Sequence, residues 1–207
     1  MDQLTLLEHF IESEINLLVK LRMGNGMDEK EYENMKRSFS LLIEQWSDKD
    51  SIPQDAVQSV MEVCGELYNF SRNYSGEESE RIRDAAANIS TLRQKGLACD
   101  QISDKAKEKV MSSLMEQIEK GGGGFFEKLQ QGKGLDEEQF EEILEELTTI
   151  DDKIFFWDTM PKPLVRILIS LYEMDLFVYK YEDEFQDQVE ADKIYDAYER
   201  FFDLIVG

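Results

Sequence analysis

Histidine is almost missing from this chain: His9 is the only one in 207 residues. One imidazole is too few for a di-iron bundle built on paired Glu-x-x-His motifs, and it leaves a His-dependent triad a single place to form. On a helical wheel His9 points away from the apolar residues around it, so it is expected in solvent. Cysteine is nearly as scarce. Neither Cys64 nor Cys99 is spaced for metal binding with a second Cys or with His, so both are read as reduced thiols of a cytoplasmic protein, Cys64 as a small core residue beside Val63 and Leu67. Asp48, Asp50 and Asp55 suggest a calcium loop until the sixth position is read, where Pro53 stands instead of glycine. No metal and no cofactor are expected.

Bases are also short. With 23 Lys and Arg against 45 Asp and Glu, the formal charge is -22, which repels nucleic acid and anionic membrane surfaces and favours a basic protein partner. Asp2, Glu8 and Glu12 interrupt the apolar residues near the start, and no apolar run reaches the roughly 18 to 20 residues of a membrane span. Neither a signal peptide nor a membrane segment is expected.

What is present is 42% apolar residues, enough for a core, and a stretch that occurs twice. Gly132 to Leu147 reads GKGLDEEQFEEILEEL, and Gly24 to Met35 reads GNGMDEKEYENM, 108 residues earlier. Gly24 and Gly132 suit the left-handed residue that ends a helix. Asp28 and Asp136 suit the cap of the next helix, with Glu31 and Gln139 three residues on to complete a capping box. Met27 with Tyr32, and Leu135 with Phe140, stand at the two positions of a hydrophobic staple. The stretch is therefore a junction between helices. A phosphate loop would follow a strand, and no strand pattern precedes either copy.

Taken in order, helix A covers Gln3 to Met23, with Leu4, Leu7, Phe10, Ile11, Ile15, Leu17, Leu18 and Leu21 on its apolar face. Helix B runs from Asp28 to Trp46, and helix C follows Pro53. Helix D runs from Glu77 to Lys95 and is closed by Gly96. The order then repeats. Pro161 lies 108 residues after Pro53, and KIYDA at Lys193 lies 112 after RIRDA at Arg81. The expected fold class is all-α, a tandem duplication of a four-helix unit in a pseudo-two-fold bundle, with repeats at residues 1–100 and 101–207. Leu164 to Tyr181 reads as one continuous core helix, with Asp175 as a buried acid in need of a partner.

The copies differ in two places. Ser13 to Asn16, inside helix A, correspond to Gly121 to Gly124, and glycine in a helix interior costs about 1 kcal/mol relative to alanine. The second helix A is therefore expected to break there and leave a short Phe125 to Gln131 piece. The bland reading is a joint; the sharper one is a binding loop beside exposed Phe125 and Phe126. The second difference is charge. Lys30, Lys36 and Arg37 stand among the acids of the first helix B, whereas Asp136 to Glu146 holds seven acids and no base. Glu137, Glu141 and Glu145 form one ladder at four-residue spacing, and Glu138, Glu142 and Glu146 another. Like charges so placed oppose the helix by about 0.2 to 0.5 kcal/mol per pair.

Those ladders, extended by Asp151 and Asp152 and flanked by Trp157 as an aromatic anchor, are the expected partner-binding residues. The expected function is non-enzymatic: an acidic helical protein that binds and inhibits a basic partner, a toxin or nucleic-acid-handling protein. The alternative is a scaffold or adaptor that holds a peptide or partner helix in an apolar groove, its charge serving only solubility.

Overall fold

The computed structural model describes residues 2–98, 124–154 and 158–206, with backbone alone at 149–154, 205 and 206. Throughout these residues the chain is predominantly helical. It divides into two compact units, Met1–Asp100 and Gln101–Gly207. No helix among the described residues is long and apolar enough to cross a membrane.

In the first unit α1 (Gln3–Arg22), α2 (Glu29–Trp46), α3 (Gln54–Arg72) and α4 (Gly76–Leu97) form a four-helix bundle, with β1, the three-residue extended stretch Ser51–Pro53, leading into α3. α1 packs on α2 and α3, and α4 packs on the same two helices, so consecutive α2 and α3 face each other across a diagonal. The packed centre joins Phe10, stacked on Phe39 at 4.9 Å, with Trp46 edge-on to Phe39. Leu17, Leu42, Val60, Leu67, Ile82 and Ile89 are fully buried.

Three features differ from the sequence reading. Gly96 does not close α4: it lies inside the helix, where a Cβ would meet Ile43 Cγ1 at 2.6 Å. Its value is close helix approach, not left-handed backbone. On α1 the buried set includes Ser13 and Glu14, while Leu4 and Ile15, expected in the core, are exposed. Finally, short extended stretches appear at β1 and at β2 (Thr159–Pro161), each ending in the proline that precedes the next helix, where no alternating pattern is legible.

The second unit contains α5 (Phe125–Gln130), α6 (Glu137–Ile154), β2, α7 (Lys162–Tyr172), α8 (Asp175–Lys180), a π-turn (Tyr181–Phe185) and α9 (Gln188–Val206). The short piece after the glycines is present, capped by Gly124; Gly121 to Gly123 lie outside the described residues. The exposed-phenylalanine reading is corrected. Phe125 is fully buried and stacks on Phe140 at 5.9 Å, while half-buried Phe126 sits edge-on to Phe125.

The single helix expected from Leu164 to Tyr181 is broken at Glu173 and Met174. The Leu176 and Phe177 N–H groups reach back three residues, to Glu173 and Met174, and so tighten the backbone. No Gly or Pro marks the break. Asp175 falls in the first turn of α8, where the helix dipole favours an acid; the residue as a whole is half-buried, while its Oδ1 is shielded from solvent.

Candidate functional site

The repeated junction organises both units through the same contacts. Gly24 and Gly132 take φ of +76° and +70°, and the backbone N–H of each bonds the carbonyl three residues back. Asp28 accepts from the Glu31 N–H and Asp136 from the Gln139 N–H, both at 3.0 Å. Lys20 donates to Asp28 and Lys128 to Asp136, and these bonds hold both carboxyls below their usual range. The Gln139 side chain also accepts from Lys128, so the amine shares the place assigned to a capping-box partner.

Two further contacts close each junction, and neither is legible from local spacing. The Gly26 N–H donates to the Tyr74 hydroxyl at 3.1 Å and the Gly134 N–H to the Tyr181 hydroxyl at 2.7 Å. The next N–H, on Met27 or Leu135, donates to Glu78 or Glu190. That glutamate fills the room a side chain would need: a Cβ on Gly26 or Gly134 would lie 2.7 Å from its carboxyl oxygen. Arg81 pairs with both Glu29 and Glu78, and Lys193 with both Glu137 and Glu190. Tyr181 lies 107 residues after Tyr74, but Glu190 lies 112 after Glu78. The five extra residues occupy the π-turn and left-handed Gln186, which explains why the sequence offset drifts there.

Along α6, packing sorts the acidic ladders. Phe140, Ile143 and Leu147 face inward and are buried. Glu141 accepts a two-pronged bond from the Arg200 guanidinium, one arm at 2.8 Å, and the arginine holds its carboxyl below the usual range. Lys193 and Arg200, seven residues apart on one face of α9, thus neutralise Glu137 and Glu141, and the guanidinium also lies 5.7 Å from the Phe140 ring centre. The stretch carries no base of its own, as the sequence reads, and Glu137 and Glu141 take theirs from another helix. Glu146, expected on the outward row, is half-buried.

The exposed acids that remain are Glu138, Glu142 and Glu145, and none pairs with a base among the described residues. A groove of about 560 Å³ runs between α6 and α9, with Glu141, Glu145, Arg200 and Asp203 on its walls and Leu144 among its lining. The side chains of Asp151 and Asp152, and all of Trp157, lie outside the described residues. Asp175 is on α8 and is not part of this groove.

Comparison with protein-family models, curated proteins and solved structures finds no match to the chain.

The other chemistry-bearing residues stand apart from the ladder. His9 is exposed, as its wheel position predicts, beside a groove between α1 and α2. Cys64 is buried on α3; Cys99 lies outside the described residues. Among the described residues no group of three His, Cys, Asp or Glu could hold a metal ion. Glu14 went unnoticed in the sequence. It is 4% exposed, and burial pushes its carboxyl up to about 8, with Glu62 and Glu66 raising it further against the lowering effect of its bond with Ser59. The available signal was its wheel position between Leu7 and Leu21.

Proposed function

We propose that this protein is a non-enzymatic binding protein that engages and inhibits a basic protein through the outer face of α6. The observation that carries the reading is the division of labour on that helix. Glu137 and Glu141 are tied to Lys193 and Arg200, while Glu138, Glu142 and Glu145 project into solvent without bases of their own. The tied pairs fix the helix against α9, and the outer row repels itself until a cation arrives. A row of this kind steers a basic partner and sets specificity more than it supplies raw affinity. Asp151, Asp152 and Trp157, which follow in the sequence, complete the proposed partner-binding set.

The two units are, in this reading, copies of one ancestral four-helix unit. The matching Lys–Asp, Tyr–Gly and Glu–N–H contacts at both junctions support it. A shared core with one diverged face is what recruitment of a single copy for binding would leave behind. The test is capture of partners on the immobilised protein at low and high salt. The expected outcome is a basic protein bound at low salt, released by salt, and lost when Glu138, Glu142 and Glu145 become Lys; retention by that variant rejects the assignment.

A further inference from the structure

α1 carries two apolar faces, and only one is covered. Of the large apolar side chains exposed among the described residues, Leu4 (64%), Ile15 (55%), Val19 (47%) and Met23 (71%) all lie on this helix or at its cap. Ile15, Val19 and Met23 follow at four-residue spacing, which makes one continuous stripe. Along one edge of α1 lies α3. Glu14 feels the Glu62 and Glu66 charges, Glu66 in turn feels the Arg22 charge, and the Arg22 guanidinium lies 5.9 Å from the Phe70 ring centre. Glu62 and Glu66 are half-buried.

We propose that this outer face of α1, with Glu62 and Glu66 of α3 at its edge, is a docking surface for a basic amphipathic helix of another protein. A partner helix with apolar residues at every third or fourth position would cover Ile15, Val19 and Met23. Its lysines or arginines would meet the two carboxylates, which have given up part of their hydration; Gln58 donates to Glu62 at 3.0 Å, and Arg22 acts on Glu66. Burial pushes both carboxyls above their usual range, and the Glu62 charge adds to the effect on Glu66, so a cation there relieves an existing cost. A second copy of this chain is the wrong occupant. It would bring a second body of charge -22 against a face that already exposes Glu8 and Glu12 beside the stripe. The surface belongs to the first unit and the ladder to the second, so separate substitutions test them.

The probe is a dye-labelled helical peptide of about 21 residues, long enough to span α1, with Leu at heptad positions and Lys elsewhere. A Leu/Glu peptide of the same pattern is the control, and binding to the full chain is read by fluorescence anisotropy. The expected result is about a tenfold loss of Leu/Lys affinity in Ile15→Asp/Val19→Asp and a similar loss in Glu62→Gln/Glu66→Gln. Glu44→Lys/Glu80→Lys, at exposed acids of α2 and α4 outside both proposed surfaces, should change it by less than about twofold, and the Leu/Glu peptide should not bind. Circular dichroism checks that each variant is folded; Glu62→Gln/Glu66→Gln, which removes charge at nearly constant shape, serves if the Asp variant is not. Wild-type affinity in both the α1 and the α3 variants, an equal loss in Glu44→Lys/Glu80→Lys, equal binding of the Leu/Glu peptide, or a wild-type dimer dissolved by Ile15→Asp/Val19→Asp would each overturn the proposal.

Discussion

The junction before α2 and the junction before α6 are built alike, yet the helices they launch present different faces. In the first unit Glu29 meets Arg81 and Glu33 meets Lys36, so acids and bases alternate along the exposed side. In the second, Lys193 and Arg200 pair with Glu137 and Glu141 of α6, and Glu138, Glu142 and Glu145 are exposed with no base paired to them among the described residues. Folding needs account for everything the junctions share. They do not account for an unpaired row of acids on one side only, because α2 is launched by the same contacts without one.

The comparison can be broken most severely through pH, since the second unit has no described counterpart of Glu14. Its folded carboxyl sits near 8, above the value of about 4.5 it takes when unfolded. The folded state therefore holds the proton more tightly. Its stabilising effect is complete below about 4.5 and is lost as pH rises towards 8. Stability of the first unit should fall by as much as a few kcal/mol across that window. Glu14→Gln, neutral at every pH, should flatten the curve, as followed by denaturant melts read at Trp46. The junction aspartates work in the opposite sense: Asp28 and Asp136, held low by their lysines, stabilise above their unfolded pKa and lose that contribution as pH falls.

Next in size are the shared junction atoms. Tyr74→Phe and Tyr181→Phe each strand a glycine N–H and should cost about 1 to 3 kcal/mol. Tyr74 also donates to the Leu21 carbonyl at 2.7 Å, so its loss should be the larger of the two in matched denaturant titrations. Gly26→Ala and Gly134→Ala should each cost roughly 1 to 2 kcal/mol for a non-glycine residue in left-handed backbone. Nearly equal values would sharpen the likeness of the two junctions, and a large difference would break it. Smallest is Glu141→Ala with Arg200→Ala. That pair is exposed, so the melting temperature should hardly move in either variant, although the Glu141 carboxyl should titrate upward by NMR in Arg200→Ala.

Much of this was legible in the residues. Glycine, capping Asp and four-residue apolar spacing are local signals, and they located the junctions, α1, α2 and the short α5. What stayed hidden depends on distant partners. Nothing near Gly26 announces Tyr74 or Glu78, and nothing in Asp136 to Glu146 announces that Lys193 and Arg200 will come to it. The break after Tyr172 has no breaker residue, and Gly96 looked like a cap because its reason, the flank of Ile43, lies on another helix. Ile15 is exposed and Glu14 beside it buried because the wheel identifies an apolar arc but not which edge of it a neighbouring helix will cover.

The most direct measurement compares two charge-reversed proteins of equal net charge. One carries Glu138→Lys, Glu142→Lys and Glu145→Lys on α6, and the other carries Glu33→Lys, Glu44→Lys and Glu80→Lys at exposed acids of the first unit. Capture of a basic partner at low salt should be abolished in the first and retained in the second. Equal loss in both would reduce the ladder to one part of a diffuse negative charge, and retention in the α6 variant would contradict the account outright.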